Sequence, residues 1–588
     1  MIDSIPATER TLAIALMLAG VTLAGCQQQA ARSPAALPLR AGGSCAALLS
    51  AGNWPDPSMR IVSAQSQAAG TVLDLGRGGK SPPLPAHCEV TGVLQERTGQ
   101  DGQRYAIHFH LRLPDQWNGR FLFQGGGGTN GEIGDAIGTT PNGAAPALTQ
   151  GFAVVSQDSG HSNADNADPA RGGAVAFGFD AEARRNYGHA SLKLTYDAAR
   201  AILARHYGRD PDHSYFAGCS KGGQEGMAFA QRYPDAFDGI LAAAPGFALP
   251  KAAIAEAWDT QTYAALVRQP SAKSVPIGRL AAAFSDSDLM LARSAVLAAC
   301  DAKDGLADGL VQAFGQCTTP EVTAALRTRM CSSTKNASCL SAGQIDALVR
   351  GFGGPHDSHG RALYASFPWD AGMADTGWRI WKLGLGGGAG PTVPAINAVM
   401  GAPALATLFS TPPRLLGPSP QDGMDAQLAY DFDRDPAAIN AVAPGFPRSG
   451  WEDVSARSSD LAGFRRRGAK MIVPHGVSDP VFSLNDTLDW WREVDRRNQG
   501  RAASFVRVFP VPGMAHCAGG PATDQFDALA ALVRWVEQGK APERIEASAG
   551  RMTPWPGRSR PLCPYPLVAR AMPGAKDTER SAAFACTR

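Results

Sequence analysis

"SYFAGCSKGG", residues 214–223, places Ser220 between Gly218 and Gly222 in the spacing G-x-S-x-G. On a turn from a strand into a helix, that spacing presents a serine hydroxyl at the end of a sheet, and the glycines leave room for the bend. The flanks have the required character: "HSYFAGCS" (213–220) reads as a strand and "GGQEGMAFAQRYPDAFDG" (222–239) as a helix opening on glycines. Directly before the serine stands Cys219, which needs its own explanation.

Working outward, "YAIHFHLRLP" (105–114), "GRFLFQGGGG" (119–128) and "GFAVVSQDSG" (151–160) read as strands, and "ASLKLTYDAARAILARHYG" (190–208) as an amphipathic helix. His108 and His110 fall on one strand face; they could ligate a metal, but the strand period of two produces the same picture. "ILAAAPG" (240–246) is the next strand, and the β-α-β-α-β succession predicts a parallel sheet covered by helices. From about residue 247 to 465 Gly, Pro and Trp break the periodicity. The β/α rhythm then returns with "AKMIVPHGVSDP" (469–480), "NDTLDWWREVDRRN" (485–498), "SFVRVFPVPGMAHC" (504–517) and "QFDALAALVRWVEQG" (525–539). The expected organisation is a leader at 1–25, an α/β domain formed by 26–246 and 465–588, and an inserted lid domain at 247–464.

The 588 residues, 44% hydrophobic and 18% charged, suffice for a large core. With Lys+Arg 55 against Asp+Glu 53, nothing points to a nucleic-acid partner. "TLAIALMLAGVTLAG" (11–25) has the length of a signal-peptide core and is short for a membrane span. It closes as "LAGC", which resembles a lipobox and predicts lipidation at Cys26, the alternative being plain secretion. The expected location is the periplasm, the outer membrane through that anchor alone, or the medium, and the expected state is a monomer. Without Cys26 an even set of ten cysteines remains, which in an oxidising compartment implies disulfides.

A serine nucleophile needs a base and an orienting carboxylate, expected in the chain order Ser, Asp, His. "HGVSDPVFS" (475–483) supplies Asp479 after one strand and "PGMAHCAGG" (512–520) supplies His516 after the next. Cys219 precedes the serine and Cys517 follows the histidine. A disulfide holds two Cα atoms about 5.5–6 Å apart, so a Cys219–Cys517 bridge would keep Ser220 and His516 adjacent. The cysteine then acts as a strut and not as a second nucleophile.

This paired arrangement resembles the tannase and feruloyl esterase family. The resemblance extends over "FQGGGGTNG" (123–131), "GFAVVSQDSGH" (151–161), "GCSKGGQEG" (218–226), "RYPDAFDGILAAAPG" (232–246), "HGVSDPVFS" (475–483) and the run 512–543. It implies an α/β-hydrolase fold with a large inserted lid and hydrolysis of aromatic carboxylic esters, of feruloyl, hydroxycinnamoyl or galloyl type, through an acyl-enzyme. It also implies the bridges Cys45–Cys88, Cys219–Cys517, Cys300–Cys317, Cys331–Cys339 and Cys563–Cys586. The oxyanion donors would be the N–H of Lys221 and an N–H from the glycines 125–128, either Gly127 or one position away.

In "CDAKDGLADGLVQAFGQC" (300–317), Asp301, Asp304 and Asp308 recur in one short loop, a density of hard oxygen donors that suits Ca²⁺. The resemblance adds the carbonyls of Leu306 and Leu310; the alternative is a solvated acidic turn. Trp378, Trp381 and Phe409 of the lid, with Phe482, are candidate substrate contacts, and each could equally be core. Hydrolysis of a terephthalate monoester would want a lid arginine for the free carboxylate. "MGAPALATLFSTPPR" (400–414) offers none before Arg414, where the resemblance leads one to expect it earlier, which favours the feruloyl-type reading. An inactive binding protein is disfavoured because all three triad members are present; acyl transfer on the same fold stays open.

Overall fold

The computed structural model describes residues 39–40, 43–76, 79–270, 274–386 and 392–588. The expected leader and Cys26 lie outside the described residues. A nine-stranded sheet organises the protein. In chain order its strands are β1 (Arg60–Gln67), β2 (His87–Thr98), β3 (Arg104–Pro114), β4 (Arg120–Gln124), β5 (Ala153–Gln157), β6 (His213–Cys219), β7 (Gly239–Ala243), β8 (Lys470–Gly476) and β9 (Val506–Val511). Across the sheet they run β9-β8-β7-β6-β4-β5-β3-β2-β1. Every pairing from β9 to β5 is parallel, and those joining β5, β3, β2 and β1 are antiparallel.

The parallel strands are short apolar runs: every residue of β5 and of β7 is buried, as helices on both faces require. Those helices include α1 (Ser191–Tyr207), α2 (Lys221–Arg232), α7 (Leu484–Arg497) and α8 (Ala528–Gln538). Gly208, at φ 75°, closes α1 in the left-handed conformation that ends many helices. Phe123, Phe216, Phe229 and Phe237 pack edge-on and stacked between β4, β6 and α2. That aromatic cluster fixes the strand-to-helix corner from behind.

Between β7 and β8, the described residues of the range 244–469 add no strand to the central sheet. They contain α3 (Leu249–Val267), α4 (Asp286–Cys300), α5 (Ala342–Gly353) and α6 (Thr376–Lys382). Reciprocal caps start α4 and α5, Ser285 with Asp288 and Ser341 with Gln344, a local signal in a region whose periodicity is poor. The insertion shares one continuous hydrophobic core with the sheet: Phe352, Trp369 and Trp378 belong to the same cluster as Phe216 and Val473. The ten cysteines pair as Cys45–Cys88, Cys219–Cys517, Cys300–Cys317, Cys331–Cys339 and Cys563–Cys586. Among the described residues no helix is long and apolar enough to cross a membrane.

Candidate active site

Ser220 sits between β6 and α2 at φ 65°, ψ −121°, a conformation costly for a residue with a Cβ. The flanking glycines are there for contact. A Cβ on Gly218 would come within 2.7 Å of the Gly222 backbone, and one on Gly222 within 2.7 Å of the Gly126 carbonyl. The elbow and the glycine-rich loop after β4 therefore touch backbone to backbone.

His516 Nε2 lies 2.9 Å from Ser220 Oγ, and His516 Nδ1 lies 2.8 Å from Asp479 Oδ2. Asp479 is buried, and its Oδ1 accepts the N–H groups of Val481 (2.8 Å) and Phe482 (3.1 Å). Burial alone would raise this carboxyl's pKa. The His516 ring and His475, whose Nε2 stands 3.4 Å from Oδ2, outweigh burial and hold it well below the usual carboxylate range. Asp479 is therefore a fixed negative charge against the His516 ring. The Cys219–Cys517 bridge, with Cα atoms 6.0 Å apart, spans the two segments beside the serine and the histidine.

Lys221 opens α2, so its N–H has no carbonyl one turn back to bond. In the glycine loop, Gly125 N–H donates to Ala217 O (2.9 Å) and Gly126 N–H to Glu225 Oε2 (2.9 Å). Gly127 N–H has no partner among the described residues, and a Cβ there would meet nothing within 4 Å.

Of the four aromatic candidates, two stand against the histidine. The rings of Trp381 and Phe482 meet His516 edge-on, with centroids 5.5 and 5.3 Å away. Trp378, 2% exposed, packs against Phe352 and Tyr263 inside the insertion, and Phe409, 4% exposed, is buried with its backbone against Gly450. Both belong to the core, as does Phe482 at 6% exposed, whereas Trp381 is only partly buried.

Sequence reasoning missed one support. Asp370 of the insertion is buried, and its Oδ2 accepts from Ser478 Oγ (2.6 Å) and Gly513 N–H (2.6 Å). It ties together the turns that carry Asp479 and His516. Aspartates are common in loops, and only the fold brings residue 370 to them.

His108 and His110 do not meet at a common point. His108 Nδ1 pairs with Asp158 (2.5 Å) and His110 Nε2 with Glu89 (2.8 Å), as a strand face packed against its neighbours explains.

The acidic loop has hard oxygen chemistry. Gly309 N–H donates to Asp301 Oδ2, Leu306 and Gln312 N–H to the two oxygens of Asp304, and Leu310 N–H to Asp308 Oδ1. Asp301 Oδ1 is buried without a hydrogen-bond partner among the described residues. Burial, reinforced by the Asp308 and Asp301 charges, pushes Asp304 up to about 7. Among the described residues no three acidic, cysteine or histidine side chains converge on one metal position. Arg560, 252 residues away, holds Asp308 Oδ2. Aspartate carboxylates with one orphaned oxygen nevertheless suit a hard cation, the more so if backbone carbonyls supply the remaining ligands.

A model of the family described as tannase and feruloyl esterase matches residues 88–586. The chain is 42% identical over 575 residues to a mono(2-hydroxyethyl) terephthalate hydrolase of Piscinibacter sakaiensis, covering 94% of this chain and 92% of that protein. It is 28% identical over 531 residues to a probable feruloyl esterase of Arthroderma benhamiae, covering 86% and 88%. The crystal structure of feruloyl esterase B from Aspergillus oryzae superposes with a TM-score of 0.71 at 22% identity, covering 92% of this chain and 99% of that one, and shows the same α/β-hydrolase fold. With the family matched from the second strand of the sheet to the last, this chain is a carboxylic ester hydrolase belonging to the tannase and feruloyl esterase family.

Proposed function

We propose that the protein is an exported serine esterase that cleaves aromatic esters of the feruloyl, hydroxycinnamoyl or galloyl type through an acyl-enzyme on Ser220. The observation that carries this reading is the chain of contacts from Ser220 Oγ to His516 Nε2 (2.9 Å) and from His516 Nδ1 to Asp479 (2.8 Å). As Ser220 Oγ attacks the ester carbonyl, His516 Nε2 takes its proton, and the buried Asp479 stabilises the imidazolium and keeps its orientation. His516 then returns the proton to the departing alcohol, and water repeats the sequence to release the acid. The N–H groups of Gly127 and Lys221 are the donors for the oxyanion. Trp381 and Phe482 wall the histidine and offer aromatic faces to the substrate. Five disulfides support export.

A second reading, hydrolysis of a terephthalate monoester, is favoured by the 42% identity to the Piscinibacter enzyme. A panel of esters on purified protein separates the two. A free carboxylate that lacks a charge-assisted partner forfeits about 1.5–3 kcal/mol, roughly ten- to a hundredfold. Methyl ferulate and methyl gallate are therefore expected to exceed mono(2-hydroxyethyl) terephthalate in kcat/KM by about that factor. The reverse order would transfer the assignment to the monoester.

Within the same reading we assign a structural Ca²⁺ to Asp301, Asp304, Asp308 and the carbonyls of Leu306 and Leu310. The loop is closed by Cys300–Cys317. A cation bound only to the folded state stabilises by mass action, about 2.7 kcal/mol at a hundred times its Kd. EDTA should lower the Tm and leave the initial rate at room temperature nearly unchanged, and added Ca²⁺ should restore the Tm. An unaltered Tm in metal-free buffer would refute the site.

A further inference from the structure

Lys221 and Glu225 lie one turn apart on α2, with side chains 1% and 0% exposed, and Lys221 Nζ is 2.8 Å from Glu225 Oε1. A buried ion pair is a poor device for stability alone, because desolvating two charges offsets most of their attraction. What this pair touches suggests another role. Glu225 Oε1 also accepts from Asn130 Nδ2 (3.0 Å) and Ser159 Oγ (3.4 Å), and its Oε2 accepts the N–H of Gly126 (2.9 Å). Lys221 Nζ stands over the Tyr187 ring at 4.6 Å, and Tyr187 in turn donates its hydroxyl to Gly128 O (3.1 Å).

We propose that Glu225, charge-balanced by Lys221, is a positioning residue for ester cleavage: its carboxylate ties the glycine loop 125–130 to the helix that begins at the nucleophile, and so sets the spacing of the two oxyanion donors. The proposal rests on the serine-esterase reading above. With the N–H groups of Gly125 and Gly126 engaged, the next one along, Gly127, is without a partner among the described residues. The other donor, Lys221 N–H, stands on the same helix as Glu225, so one carboxylate links both. The ionised form is required. Donors approach both oxygens, and a glutamine would turn an NH₂ group towards one set of them.

Outright loss of an oxyanion donor costs about 10²–10³ in kcat, so a displaced loop should cost roughly ten- to a hundredfold. Because the donors act on the transition state, Glu225→Gln should lower kcat by that factor with KM within about twofold. The Ki of an arylboronic acid, which forms a tetrahedral adduct on the serine, should rise in parallel, and the Ki of free ferulate should not move. A purely structural role would shift Tm without this split. Glu225→Gln leaves a buried ammonium unpaired and is at risk of misfolding, so Lys221→Met/Glu225→Gln, which removes both charges at similar volume, is measured beside it. A folded double variant with the same kcat and boronate losses supports the proposal. One with kcat and boronate Ki within twofold of wild type overturns it. Ser220→Ala separates the readings: if it is inactive while the Glu225 variants behave as wild type, only the clamp fails. If Ser220→Ala itself turns over and no boronate adduct forms, the serine reading fails and takes the clamp with it.

Discussion

Ser220→Ala should lose at least about 10⁴-fold in ester hydrolysis with a Tm close to that of wild type. On the proposed acyl-enzyme route, removing Oγ abolishes covalent catalysis and leaves only binding and the oxyanion donors. The fold should tolerate the change, because alanine meets the same backbone penalty at φ 65° that serine already bears, and among the described residues Oγ hydrogen-bonds only His516. Hydrolysis of an aryl ester by wild type and variant, with a melting curve for each, decides the matter. Activity within tenfold of wild type would remove Ser220 from the chemistry.

Cutting the bridge beside the serine is expected to have the second largest effect. In Cys219→Ala/Cys517→Ala, turnover should fall well beyond what any loss of stability explains. The bridge closes a loop of 298 residues, worth about 5.7 kcal/mol in the chain-entropy model, more than the roughly 0–5 kcal/mol that disulfides deliver in practice. Four other bridges remain, so the variant should fold. The catalytic effect is geometric. His516 lies in a loop with Gly513, Gly519 and Gly520 all at positive φ, and Cys517 itself sits at φ 66°. Without the covalent tie, that loop has more ways to leave the 2.9 Å contact with Ser220. Asp370 should limit the damage by holding Gly513, so Asp370→Asn in the bridge-free background is the informative partner. A double-cysteine variant with unchanged kcat, or Cys219 recovered as a free thiol in non-reducing peptide mapping, would refute the strut.

Much of this molecule is written in short segments. The elbow around Ser220, the separate turn motifs that carry Asp479 and His516, and the apolar runs of β4 to β9 are each carried by fewer than a dozen neighbouring residues. Period, glycine spacing and turn chemistry act over that range. The antiparallel strands β1 and β2 were not anticipated. Neither were the capped helices of the insertion, which lie among glycines and prolines that blur the period.

Tertiary structure alone decided the rest. Trp378 and Trp381 are three residues apart on α6 and chemically identical, yet one fills the core and the other meets His516. The hold of Arg560 on Asp308 and of Asp370 on the turns that carry Asp479 and His516 joins residues 252, 108 and 143 positions apart. The Lys221 and Glu225 spacing is visible in the chain as an ordinary helical ion pair, but its contact with Gly126 is not. Local pattern states what a segment can become; which side chains then meet depends on how separate segments pack, and that is set by the whole buried interior and not by any stretch of sequence.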